Sequence, residues 1–285
     1  MSEALSICIV VKNEEERLPR CLDSVHELAG ELIVVDTGSA DATPRIAQSR
    51  GAKIIPFNFA IVDFAAARNC AITHAGGRWI LMLDADETLH PSGVALVAQL
   101  ISGDRNVGYF LERHNFAAGR LNAFVDHVVR LFPNRSDFRY RGRVHEIIDA
   151  SILAAGGRLR QSGIRLDHSF SSDPEQRRQK NLRYIEILKE EIAADPSDSS
   201  RLDFLAAEYH QLEMFEHATV VAEHITLVRP QDARAHLFAG VYRLLYQPDF
   251  PRARVHFNNA LKLRPGYPEA LSFLSSLEQW EKASL

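Results

Sequence analysis

Apolar and polar positions fall into alternating blocks over the first third of the chain. Residues 5–11, 32–35, 53–57 and 80–83 form short, largely apolar runs bounded by polar residues. Each is too short for a helix and reads as a strand buried on both faces. Between them lie segments with helical signals at residues 13–28, 41–48 and 64–75. The first carries Glu14, Glu15 and Glu16 in its opening turn, and Pro19 offers a later start. This strand–helix alternation predicts a parallel, doubly wound α/β sheet. From Val107 the texture changes. Residues 107–113, 126–132 and 158–167 read as strands separated by turns, without long helices. They predict a mixed or antiparallel extension that builds the other wall of a site.

Beyond residues 171–174, Ser-Ser-Asp-Pro, the pattern is helical throughout. Pro196, Pro230 and Pro265 recur at spacings of 34 and 35 residues, while Ala218 matches Ala253 and Ala235 matches Ala270. A period near 34, with helices closing on proline, resembles tetratricopeptide repeats. The expected organisation is therefore an α/β domain over residues 1–172 and an all-α tetratricopeptide-like region over residues 173–285.

Composition narrows the function classes. The chain has 285 residues, 46% of them hydrophobic and 25% charged, enough for a real core. A net charge of −4 without a basic, aromatic-interleaved stripe argues against nucleic acid as a partner. Cys8, Cys21 and Cys70 are isolated and odd in number, so no disulfide framework is expected. With no secretion signal and no apolar run near the ~20 residues of a membrane span, a cytoplasmic protein is expected.

Candidate chemistry gathers at the predicted strand ends. The strand over residues 80–83 runs into Asp84-Ala85-Asp86-Glu87. Along the strand Asp84 and Asp86 point to the same side, and two carboxylates facing one way repel unless a hard cation such as Mg²⁺ or Mn²⁺ lies between them. An acidic helix cap is the alternative. Lys12-Asn13-Glu14-Glu15 ends the first strand, where polar groups either bind a nucleotide or simply make a charged start to the next helix. Asp36-Thr37-Gly38-Ser39 ends the second, where Asp36 can accept the N3–H of a uracil or thymine ring and Asp41 caps the next helix. Arg68 on a small-residue helix can reach a diphosphate or form a salt bridge. Glu146, in Arg141-Gly142-Arg143-Val144-His145-Glu146, could pair with Arg141 or Arg143, and His168 could close over a metal from the opposite wall.

Taken in order, these segments resemble a family 2 glycosyltransferase with the GT-A fold over residues 1–170. The subgroup resembled carries KNEE, DTGS-x-D-x-T, DFA-x-ARN, LDADE and G-x-VHE. This chain has Lys12–Glu15, Asp36–Ser39 with Asp41 and Thr43, Asp63–Asn69, Leu83–Glu87 and Gly142–Glu146. Ala40 stands where Thr is usual and Phe59 where Trp is frequent. The resemblance implies a doubly wound mixed GT-A sheet followed by the helical region. It also implies inverting transfer from a nucleoside diphosphate sugar, most readily a UDP-sugar, with a divalent cation (Mn²⁺ or Mg²⁺).

On that resemblance Asp86 ligates the metal with His168, and Asp84 contacts ribose and helps orient the ion. Asp36 reads the pyrimidine beside Asn13 and Glu14, and Arg68 steadies the phosphates. Glu146 is the expected general base, with Asp126 and Glu87 behind it. Acceptors in the subgroup include heptose of lipopolysaccharide core and peptide cysteines, so a glycan or a peptide is expected. Arg177, Arg178, Lys180 and Arg183 could face an anionic glycan or the inner membrane surface, or form a solvated helix face. The repeat region could hold a protein partner. Two other classes remain open: a nucleotide-sugar-binding adaptor without turnover, and a nucleotidyltransferase. The latter is disfavoured because residues 5–16 contain no glycine for a triphosphate loop.

Overall fold

The computed structural model describes residues 4–28, 30–117, 120–169 and 173–283, and the side chains of these except residues 117, 120–124 and 281–283. The chain forms two compact units, Met1–Asp173 and Pro174–Leu285. Ser171 and Ser172, which the sequence places in the boundary loop, lie outside the described residues.

The first unit runs β1 (Leu5–Val11), α1 (Leu18–Val25), β2 (Glu31–Asp36), α2 (Thr43–Ser49), β3 (Lys53–Pro56), α3 (Phe64–His74), β4 (Trp79–Asp84), β5 (Glu87–Leu89), α4 (Gly93–Leu100), β6 (Val107–Ala117), β7 (Arg120–Pro133), α5 (Asp149–Ala154) and β8 (Arg158–Ser169). The strands form one mixed sheet in the order β3-β2-β1-β4-β7-β6-β8-β5. β1 to β4 are parallel, whereas β7 joins β4 antiparallel. Strand alternation divides the core. Ile7, Ile9 and Val11 pack with Leu18, Leu22 and Val25 of α1, while Cys8 packs on the other face with Ala67, Ala71 and Ile72 of α3.

Two local expectations are corrected. α1 begins at Leu18, not residue 13, with Pro19 in its first turn, so Glu14, Glu15 and Glu16 lie in the preceding loop. Proline fixes φ in a helix opening without losing an intrahelical bond, and that selects the later start. β4 ends at Asp84, so the two-residue period does not extend to Asp86, which occupies a turn.

That turn has a large topological consequence. β5 starts two residues after β4, yet it pairs with β8, on the far side of β7 and β6 in the sheet order. The second half of the sheet, in which β6 and β8 are parallel and the other pairs antiparallel, must therefore curl until its last strand meets the end of β4. Register then sets Glu87 opposite His168, and the Ser169 N–H donates to the Asp86 carbonyl at 3.0 Å.

The second unit is helical among its described residues: α6 (Pro174–Ala194), α7 (Ser200–Gln211), α8 (Phe215–Val228), α9 (Ala233–Leu245), α10 (Phe250–Leu263) and α11 (Pro268–Ala283). The alanines that recur in the sequence, Ala218, Ala235, Ala253 and Ala270, are all buried. Small side chains there let helices approach closely. Gly240 shows the same demand, since a Cβ at that position would lie 2.6 Å from the Phe257 ring. The Arg177, Arg178, Lys180 and Arg183 cluster lies exposed along the first half of α6.

Candidate functional site at the strand ends

Parallel register brings three loops side by side. Val11 pairs with Asp36, and Val10 pairs with Asp84. The loop after β1 therefore lies between the loop after β2 and the turn after β4. The first two loops are laced together by five hydrogen bonds. The Asn13 N–H donates to Ser39 Oγ (2.9 Å), Ala40 N–H to Asn13 Oδ1 (2.8 Å), Glu14 N–H to Thr43 Oγ1 (2.7 Å), Glu15 N–H to Asp41 Oδ2 (3.2 Å) and Ala42 N–H to Glu15 Oε2 (2.8 Å). Gly38 at φ 100° and Asn13 at φ 55° make the tight turns this lacing needs. Asp36 Oδ1 accepts from the Ser39 N–H at 3.0 Å and its hydroxyl at 2.6 Å, which fixes the carboxylate at the sheet edge. Asp41 accepts from the Thr43 N–H at 2.9 Å in a turn just ahead of α2. The cap position of that helix is Ala42 and carries no side-chain cap bond, so the cap expected of Asp41 is not formed.

Asp84 sits between two buried arginines. Arg68 Nη2 donates to its Oδ1 at 2.6 Å, and Arg130 Nη2 donates to its Oδ2. Burial alone would push this carboxyl up, but the guanidiniums of Arg130 and Arg68 outweigh it and hold it well below the ordinary range. Arg130 also donates to Glu87 Oε1 at 3.0 Å, and Glu87 Oε2 accepts the Asp84 N–H at 3.0 Å. Glu87 is fully buried, so it braces the turn from beneath and is shielded from any acceptor.

The placement of Arg68 differs from the expectation. Its side chain is 6% exposed and bridges Asp84 to Glu146, with Nε donating to Glu146 Oε1 at 2.6 Å. The alanines of α3 draw the helix so close to the sheet that Arg68 is buried beside the carboxylates. It orients two acidic groups there and is not presented to a diphosphate. Among the described residues Glu146 makes an ion pair with Arg68. Its loop is held by reciprocal backbone bonds between Arg141 and Ile147 (2.9 and 3.1 Å) and turns through Gly142 at φ 94° and His145 at φ 48°. Asp126 on β7 accepts from Arg113 Nη2 at 2.8 Å and from Asn115 Nδ2 at 3.0 Å.

Asp86 faces another way. Its Oδ2 lies 3.4 Å from His168 Nε2 and 3.8 Å from Arg17 Nη1. His168 approaches from β8 of the same sheet, beside Asp86 and not from an opposing wall. Asn115 donates through its amide nitrogen to Asp126, so its Oδ1 is the acceptor for His168 Nδ1 at 2.7 Å. That bond keeps the proton on Nδ1 and turns the Nε2 lone pair toward Asp86 in the neutral ring, the tautomer a metal ligand needs. Among the described residues no group of three or more His, Cys, Asp and Glu side chains is arranged to hold a metal. Asp86 and His168 are the two groups here that could hold a metal. Beside them, burial pushes Glu14 up to about 7 against the opposing pull of Arg17.

Sequence reasoning missed Arg130, Arg113, Asn115 and Arg17. Arg130 left one signal, a single cation inside the apolar run 128–132, which implies a buried counter-charge. Asn115 left none, because its role exists only where β8 curls back.

This edge, with polar loops over β1 and β2 and carboxylates after β4, defines an α/β protein whose candidate ligand site lies at the carboxyl ends of its strands. Residues 6–159 match Glycosyl transferase family 2, and the chain belongs to that family. A TPR repeat-containing protein of Synechococcus elongatus is 43% identical over 150 residues, covering 53% of this chain and 36% of the relative. The SPbeta prophage-derived glycosyltransferase SunS of Bacillus subtilis is 26% identical over 230 residues, covering 74% of this chain and 50% of SunS. The chain thus spans half or less of the length of these relatives. The crystal structure of S. aureus TarS with UDP-GlcNAc shares the fold at a TM-score of 0.53 and 14% identity, covering 93% of this chain and 91% of that one. The mixed GT-A-like sheet followed by a helical, tetratricopeptide-like region is the fold class the sequence implied. No helix among the described residues is long and apolar enough to cross a membrane.

Proposed function

We propose that this chain transfers a glycosyl group, with inversion, from a UDP-sugar to a glycan acceptor such as lipopolysaccharide core. The observation that carries the reading is the edge itself. Asp36, the Asn13–Glu14 loop and the Asp86–His168 pair lie in the order in which a nucleoside diphosphate presents base, ribose and phosphates. Asp36, fixed through Oδ1 by Ser39, accepts the pyrimidine N3–H, and Asn13 and Glu14 line the nucleotide beside it. Asp84 holds the turn rigid between Arg68 and Arg130 and keeps 30% of its side-chain surface for the ribose.

Asp86 and His168 would hold a divalent cation, Mn²⁺ or Mg²⁺, which offsets charge developing on the departing diphosphate. Glu146 accepts the acceptor hydroxyl proton, and Arg68 fixes its orientation as a base's partner does. Asp86→Asn should leave folding intact and abolish nearly all transfer. Full turnover of this variant in EDTA would overturn the metal assignment. Mass spectrometry of products from a panel of UDP-sugars with core oligosaccharide and peptide acceptors decides the donor and the acceptor class. Absence of any glycosylated product across the panel would overturn the transferase reading.

A further inference from the structure

The arginines around the Asp84–Glu87 turn are not equivalent. Arg68, Arg130 and Arg113 face carboxylates on the protein side, with side chains 6%, 7% and 23% exposed. Arg17 is 39% exposed and stands at the rim. Its Nε lies 2.8 Å from Glu14 Oε2 and its Nη2 donates to Glu14 Oε1 at 3.1 Å, while its Nη1 is 3.8 Å from Asp86 Oδ2, beyond hydrogen-bond reach. The backbone beneath it is anchored, since the Arg17 N–H donates to the Glu14 carbonyl at 3.1 Å and the Arg17 carbonyl accepts from Arg20 at 3.2 Å. As the residue before α1, it gives the helix no side-chain cap.

Position and charge together give this arginine a task. The β1–α1 loop lies between Asp36 and Asp86, along the path of the phosphates of a pyrimidine nucleotide. The oxygen that Arg17 approaches, Asp86 Oδ2, is the same one that faces His168 Nε2. A divalent ion held by that oxygen and that imidazole would sit a few ångströms from the guanidinium, and the two cations would repel. A diphosphate brings the negative charge that lets both remain.

Resting on the transferase reading above, we propose that Arg17 is the diphosphate-binding cation of the donor site. Without donor its fork holds Glu14, and its charge beside Asp86 opposes the divalent ion. When a nucleoside diphosphate enters, its guanidinium moves to the phosphate oxygens and the ion takes Asp86. Metal and donor therefore enter this site cooperatively, because each relieves the charge the other leaves behind.

The proposal predicts two effects of opposite sign from one substitution, measured on the full chain by titration calorimetry. Arg17→Ala should bind Mn²⁺ alone about three- to five-fold more tightly, the size of a rim ion pair removed. The same variant should bind UDP in the presence of Mn²⁺ about 10- to 100-fold more weakly, the size of a charged hydrogen bond lost. Arg17→Lys, which keeps the charge but not the fork, should fall between wild type and Arg17→Ala in both titrations. Weaker binding of both ligands would make Arg17 a structural tether of Asp86 and overturn the proposal, as would unchanged affinity for either. A wild-type protein that binds neither Mn²⁺ nor UDP overturns the donor reading together with this one. A wild type that binds both, with variants that fail to move in opposite directions, overturns this one alone.

Discussion

At the scale of single residues, two neighbouring aspartates have acquired different work. Asp84 is enclosed by Arg68 and Arg130, whereas Asp86 turns outward to His168 and Arg17. Removing the charge of Asp84 leaves Arg68 with Glu146 alone and Arg130 with Glu87 alone, a loss of about 1.5–3 kcal/mol. Asp84→Asn should therefore lower the thermal midpoint of the first unit by several degrees, while Asp86→Asn leaves it nearly unchanged. Equal midpoints in the two variants, by scanning calorimetry, would contradict this division. The acid dependence has a definite sign. A carboxyl held below its ordinary value of 3.8 stabilises the fold fully above that pH, and its contribution fades as pH falls toward the lowered value. For Glu146 the expected loss is kinetic. Glu146→Gln keeps the shape and the bond from Arg68 but cannot accept a proton, so kcat should fall about 10²–10⁴-fold with UDP affinity retained. Lost UDP binding in that variant would mark Glu146 as structural and shift attention to Asp126.

At the scale of elements, the site depends on loops that hold one another. The residue 12–17 and 36–43 segments share their backbone donors and side-chain acceptors, so neither keeps its shape alone. Asn13 is central, because its N–H, its amide oxygen and its left-handed φ are all in use. Asn13→Ala should cost about 1–2 kcal/mol and weaken UDP binding. Asn13→Gly, which tolerates the φ of 55°, should restore part of the stability but not the bond to Ala40. If the two variants unfold at the same denaturant midpoint, backbone conformation is not what Asn13 supplies.

At the scale of the molecule, every residue assigned to donor binding or proton transfer lies within Met1–Asp173, a compact unit with its own core. Residues 1–173 produced alone should unfold cooperatively and bind UDP within about three-fold of the full chain, since no donor contact is removed. A much larger loss would show that Pro174–Leu285 supports the site. The sequence by itself determined the parallel half-sheet, the helical repeat and the strand ends at which polar loops gather. Those features arise from local apolar runs, prolines and period, which are written residue by residue. Only tertiary structure decided that Arg68 is a buried clamp, that Asp84 and Asp86 part company, and that His168 reaches Asp86 with its tautomer set by Asn115. These depend on how closely α3 approaches the sheet and how far β6, β7 and β8 curl, distances between residues tens of positions apart that no local pattern encodes.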